Sequence, residues 1–247
     1  VGEAQRLNIL HLYPEHMNLY GDRGNVLALA QRARWRGIPV SITGREVGQP
    51  IDWSEVDLVF MGGGEDSHQS RIAEDFLALG PELASRLHEG LPMLAICGAY
   101  QLLGKYYKTS DGRELPGLGY LDVWTEPGTN RAIGDVVTET SLPIKPPSLV
   151  GFENHGGRTY LGSAAKPLGT VKLGQGNNGE DRTEGAIQDR VIGTYLHGSL
   201  LPKNPHLADL LLRWALLWQG YSDELEPLPE DEERAAHQTI LARAPNS

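Results

Sequence analysis

The chain has one cysteine, Cys97, so it can form no internal disulfide and suits a reducing compartment. No stretch reaches 18 consecutive apolar residues, so no transmembrane helix is predicted. No signal peptide is visible, and a cytoplasmic location is expected. Basic residues are in deficit, 22 against 32 acidic. The resulting net charge of -10 argues against nucleic acid or an anionic membrane as the main partner, though not against a local basic pocket. The phosphate-cradling pattern Gly-x-x-x-x-Gly-Lys-Ser/Thr is missing, as is a dinucleotide fingerprint. A kinase or ATP-dependent ligase acting alone is therefore disfavoured. His11 and His16 flank a loop but lack cysteine or acidic partners at ligand spacing, so no metal is expected.

What is present is ordinary in bulk and specific in detail. Hydrophobic residues make up 40% of 247, and 30 glycines and 16 prolines predict many short turns. Strands are predicted over 8–12, 38–43, 58–61 and 92–96. Helices are predicted over 25–36, 71–80, 81–88 and 98–107, with Gly80-Pro81 as a break. This alternation favours a mostly parallel sheet covered on both faces. Short strands follow at 120–125, 133–139, 149–153, 169–173, 185–188 and 191–196, read as an antiparallel extension of the same sheet. A strong helix covers 204–219. Residues 1–222 are expected to form one domain, and 223–247 an acidic linker with a peripheral helix.

Cys97 ends the apolar run Leu91-Pro-Met-Leu-Ala-Ile-Cys97 and opens into Gly98. A lone cysteine is often a small core hydrophobe. A strand emptying into a sharp turn changes that reading, because the thiol then sits at the sheet's C-terminal edge beside the first amides of a helix. His197, in Ile192-Gly-Thr-Tyr-Leu-His197, is the candidate base at a second strand end, and His155 is its rival. Gly62-Gly-Gly64 after the strand at 58–61 is either a plain turn or a set of amides able to hold an oxyanion. Arg131 reads as a surface charge or as a bidentate anchor for a substrate carboxylate.

Five runs together resemble one family. They are Leu19-Tyr-Gly-Asp-Arg-Gly-Asn25, Gly62-Gly-Gly-Glu-Asp-Ser-His-Gln69, Ile96-Cys-Gly-Ala-Tyr-Gln101, Gly151-Phe-Glu-Asn-His-Gly-Gly-Arg-Thr159 and Gly193-Thr-Tyr-Leu-His-Gly198. They resemble the class I glutamine amidotransferases of the CobB/CobQ-like branch, and most closely the amidotransferase subunits of lipid II isoglutaminyl synthases. The resemblance implies a three-layer α/β fold and a glutaminase. Cys97 would attack glutamine and His197 would protonate the leaving ammonia. Amides near Gly63, Gly64 and Gly98 would hold the oxyanion. Arg131 would hold the α-carboxylate, and Gln101 would line the site. A Mur-ligase-like partner of the MurT type would use ATP and Mg to amidate the D-glutamate α-carboxyl of lipid II, giving D-isoglutamine. The subunit itself would carry no cofactor, and the lipid-linked acceptor would bring the pair near the inner membrane face. Asn154, His155 and Arg158 are candidate contacts to partner or acceptor. The alternatives are an amidotransferase for a corrinoid or other biosynthetic carboxylate, a non-catalytic regulatory subunit, and a cysteine hydrolase of another small amide or ester.

Two departures from the family pattern stand out. The outer glycines of the usual Gly-x-Cys-x-Gly elbow are Ala95 and Ala99, which resist any φ > 0. The acid that many relatives carry two residues after the histidine is Ser199. The chain then works as a dyad, finds an acid elsewhere in its own fold, or receives one from the partner. The resembled complex points to the partner, with low activity for the isolated subunit.

Overall fold

The computed structural model describes residues 6–18, 21–64, 66–197 and 200–245. Strand and helix alternate first, through β1 (Leu7–Leu12), α1 (Arg23–Trp35), β2 (Val40–Arg45), β3 (Leu58–Met61), α2 (Asp66–Glu89), β4 (Met93–Ile96) and α3 (Gly98–Leu103). A β-rich stretch follows, with β5 (Tyr106–Lys108), β6 (Glu114–Pro116), β7 (Val123–Thr140), β8 (Ser148–Leu161), β9 (Gly169–Leu173), β10 (Thr183–Glu184) and β11 (Ala186–Gln188). β12 (Val191–Thr194), α4 (Leu200–Lys203), α5 (Pro205–Trp218) and α6 (Asp231–Leu241) complete the chain.

The central sheet has the order β11-β12-β4-β3-β1-β2, parallel except for β11. Its inner strands are apolar on both faces, as a sheet covered twice requires. Leu58 and Phe60 of β3 join Val26, Leu29, Leu207 and Leu211 on the α1/α5 side. Val59 and Met61 join Phe76, Leu83 and Leu87 on the α2 side. The fold is thus three-layered and α/β, as the alternation predicts. Of the later strands, only β11 and β12 belong to this sheet. The rest form a second sheet, β10-β9-β7-β5-β6 with β8 on β7, antiparallel except between β5 and β7. An antiparallel bridge joins Phe152 of β8 to His197, just past β12, and a second joins Lys166 to Ile187 of β11.

Three local expectations are corrected. The helices expected at 71–80 and 81–88 are one helix, α2, which runs through Pro81. Gly80 lets that helix approach Leu118, since a Cβ there would lie 2.5 Å from Leu118 Cδ1. The helix expected at 98–107 stops at Leu103, because Gly104 turns extended against Val123 and Tyr106–Lys108 are taken by β6 and β7. The strands expected at 120–125 and 133–139 are one long strand, bulged between Pro127 and Ala132.

The acidic tail is tied down by ions and a histidine. Buried Arg32 of α1 donates to Asp209 at 2.8 Å and to Glu230 at 2.6 Å. Buried His237 of α6 donates from Nδ1 to the Lys203 carbonyl at 2.9 Å, and its Nε2 meets Ser148 Oγ at 2.9 Å. Burial, and then the charge of Arg234, hold His237 below its ordinary value, against the pull of the Lys203 carbonyl. His206, its ring 5.4 Å away, is lowered by burial in the same way. A histidine held neutral in the fold takes up a proton more readily once released. Its contribution is therefore complete above the unfolded value near 6.5 and is lost as pH falls below it. Amide protection of residues 231–241, corrected for intrinsic exchange, should be lower at pH 5 than at pH 7. His237→Gln should flatten that dependence.

Candidate active site

The elbow at the end of β4 is strained at one residue. Cys97 has φ 52° and ψ -103°, a region that side chains avoid at a cost of about 1–3 kcal/mol. Ala95 and Ala99, which stand where glycine is usual, lie in β4 and α3 with negative φ. The alanines therefore carry no strain, and the positive φ falls on the cysteine alone. The Cys97 amide is fixed by the Thr194 carbonyl at 2.8 Å, so the elbow is pinned to the strand that leads to His197.

His197 is fully buried, whereas Cys97 is partly accessible. The two side chains lie together beside Gly63 and interact electrostatically. The His197 backbone is locked both ways to Phe152, through N–H at 2.7 Å and carbonyl at 3.2 Å. Its Nδ1 lies 3.2 Å from Asp22 Oδ1. Asp22 is also fully buried, and its Oδ2 accepts the Gly63 N–H at 2.7 Å. Burial disfavours a charged His197. Its electrostatic interaction with Cys97 and its contact with Asp22 outweigh burial and push it up to about 10. The arrangement is a cysteine and an imidazole backed by an aspartate, the layout of a nucleophile, an acid–base group and an orienting acid.

Asp22 is the functional residue the sequence reading missed. It sits in the Gly-Asp-Arg-Gly-Asn run, directly before α1, where an acid normally caps the helix. Here its side chain makes no cap and turns to His197 and Gly63 instead. Asn25 of the same run accepts the Leu201 N–H at 2.9 Å, tying α1 to the segment after the histidine. Of the three readings of the missing acid, the structure supports the second, an acid from elsewhere in this chain. Ser199 lies outside the described residues.

Within the glycine triplet, Gly63 has a role other than the one expected. The Gly63 amide is given to Asp22, so it is not an oxyanion donor. What Gly63 supplies is room, since a Cβ there would lie 2.7 Å from His197 Cε1 and 3.4 Å from Cys97 Cβ. Gly64 is packed as closely, 2.3 Å from Met17 Sδ by the same measure. Gly63→Ala should displace the imidazole and lower turnover at this centre by about 100-fold, since a 1 Å misplacement costs that much. A circular dichroism spectrum unchanged from wild type would show that the loss is local.

The remaining candidates are dispersed around this centre. Gln101 lies in α3, buried, and its Nε2 donates to Tyr195 Oη at 3.0 Å. His155 is only 2% exposed and stacks on Tyr195 with centroids 3.7 Å apart. Its Nδ1 is taken by the Gly157 carbonyl at 2.8 Å. His155 is therefore neither an accessible contact for a partner nor the base beside Cys97. Arg131 is exposed on the β7 bulge, its guanidinium resting on the Asn154 side chain and, at 3.2 Å, on the Asn154 carbonyl. Arg158 braces the same bulge by donating to the Asn130 carbonyl at 2.7 Å. Asn154 and Arg158 thus work first within this chain. His11 is neutral, lowered to about 4 by burial and then by Arg23. Among the described residues, no group of three or more His, Cys, Asp or Glu side chains is placed to hold a metal.

Residues 8–205 match the CobB/CobQ-like glutamine amidotransferase domain. The chain belongs to that family. It is 42% identical over 238 residues to the lipid II isoglutaminyl synthase (glutamine-hydrolyzing) subunit GatD of Staphylococcus aureus, covering 96% of each chain. It is 40% identical to the subunit of the same name from Streptococcus pneumoniae, covering 92% of this chain and 86% of that one. A crystal structure of a glutamine amidotransferase, 20% identical, superposes with a TM-score of 0.56 over 83% of this chain and 98% of the other. At that identity the likeness shows the fold alone. This amidotransferase fold carries Cys97, His197 and Asp22 at the C-terminal edge of its central sheet, where open α/β sheets bind their ligands.

Proposed function

We propose that this chain is the glutaminase subunit of a lipid II isoglutaminyl synthase. The carrying observation is the strained Cys97 set beside His197, with Asp22 behind the imidazole. The thiolate of Cys97 attacks the side-chain carbonyl carbon of L-glutamine. His197 gives its proton to the departing nitrogen, and ammonia leaves a glutamyl thioester. Water then adds to the thioester as His197 takes its proton, the C–S bond breaks, and glutamate leaves with the thiolate restored. The Gly98 amide at the start of α3 and the amide of Gly64 are the proposed oxyanion donors. Arg131 is the proposed anchor for the glutamine α-carboxylate, held ready by Asn154.

Ammonia passes to a Mur-ligase-like partner, which activates the D-glutamate α-carboxyl of lipid II with ATP and Mg. The GatD relatives, matched over nearly their whole length, support this pairing. The test is to purify the chain alone and with such a ligase, and to follow glutamate release and the mass of the acceptor. Glutamate release by both preparations, and amidated lipid II only with the ligase, is expected. Glutamate release with no amidation of lipid II would overturn the acceptor assignment.

A further inference from the structure

The β12–β4 ladder ends at the Thr194–Ile96 pair, three residues before His197. Beyond it the backbone leaves the sheet, and each buried N–H needs another partner. Tyr195 N donates to Glu184 Oε1 at 2.9 Å. Leu196 N donates to Thr194 Oγ1 at 3.1 Å, and that hydroxyl donates to the same Glu184 oxygen at 2.5 Å. His197 N goes to Phe152. The Thr194 carbonyl meanwhile accepts the Cys97 amide. One carboxylate oxygen therefore gathers the strand end that carries the histidine and, through Thr194, the elbow that carries the cysteine.

Glu184 is fully buried on β10, and its second oxygen has no hydrogen-bond partner among the described residues. Burial pushes its carboxyl up to about 7, against the bonds from Thr194 and Tyr195. An isolated buried carboxyl is a costly way to satisfy one amide. Here its oxygen accepts from two donors at a point where the sheet offers none.

We propose that Glu184 is a positioning residue that sets the distance between Cys97 and His197 by holding residues 194–196. This rests on the glutaminase reading above. The role needs an acceptor at Oε1 and not a negative charge, so glutamine at this position serves as well.

The test uses the full chain and two measurements. One is kcat and KM for glutamate release. The other is the pH profile of Cys97 alkylation by iodoacetamide, which needs no glutamine turnover. Glu184→Ala should lower kcat by about 10-fold or more with KM within about threefold, as a displaced acid–base group does. It should also shift the alkylation profile to higher pH, because the thiolate loses its imidazolium. Glu184→Gln should recover most of the loss and the wild-type profile. If Glu184→Ala does not fold, Thr194→Val removes the hydroxyl link alone and should shift the profile in the same direction. An unmoved alkylation profile in the folded variants, or Glu184→Gln failing as badly as Glu184→Ala, overturns the proposal. A wild-type chain that releases no glutamate, yet shows the alkylation shift on substitution, overturns the glutaminase reading and leaves Glu184 in place.

Discussion

Cys97→Ala should reduce glutamate release by about 10⁴-fold or more, to the background of the assay. The chain has no other thiol, so no neighbour substitutes for it. The strain at φ 52° persists in the alanine variant, so the elbow keeps its shape and the loss reports chemistry. Cys97→Ser is the sharper control. It preserves size and places a hydroxyl in the same position, but a hydroxyl yields its proton to His197 far less readily than a thiol does. The pair then rests neutral, and His197 loses the largest of the influences that hold it up, the negative charge of Cys97. Glutamate release should fall by about 10³-fold or more, and labelling by an electrophilic glutamine analogue should disappear. Full activity in Cys97→Ser would remove Cys97 as the nucleophile.

The residues legible in the sequence were those whose chemistry depends on near neighbours. The run 58–61 reads as a strand because it is apolar throughout and ends in glycines, and β3 has those bounds. Cys97 stands out because an apolar strand empties into it. Other features were set by distant contacts. Helix periodicity gives no reason for α3 to stop at Leu103. The reason is that Gly104 must fit against Val123 and that Tyr107 pairs with Thr125. Pro81 reads as a break, yet its neighbour Gly80 packs on Leu118 and the helix continues. The alternating strands after residue 120 were visible, but alternation does not say which sheet a strand joins. Arg131 and Asn154 both stand out in the sequence, and only the β7–β8 register shows that one holds the other.

Asp22 is the clearest case, and it carries the second large effect. It lies 175 residues from His197, and its local setting before a helix points to a cap. Asp22→Asn should lower glutamate release by about 10²- to 10⁴-fold, the range expected when an acid–base histidine is held in the wrong tautomer. The reason is geometric. Gly63 N–H is a fixed donor aimed at Oδ2. The asparagine oxygen must turn to it, and the amide NH₂ then faces His197 Nδ1. A donor there obliges Nδ1 to accept, which puts the ring proton on Nε2 and leaves no acceptor for the thiol. The opposite amide orientation sets two donors against each other at Gly63. Asp22 also helps hold His197 up at about 10. Without its charge the imidazolium is lost at a lower pH as pH rises, so the alkaline limb of glutamate release should move down from near pH 10. Measured with the ligase partner present, the same variant separates the remaining sources of the acid. Activity unchanged by Asp22→Asn in the complex would assign the orienting role to the partner. A loss of equal size with and without partner would place it in this chain.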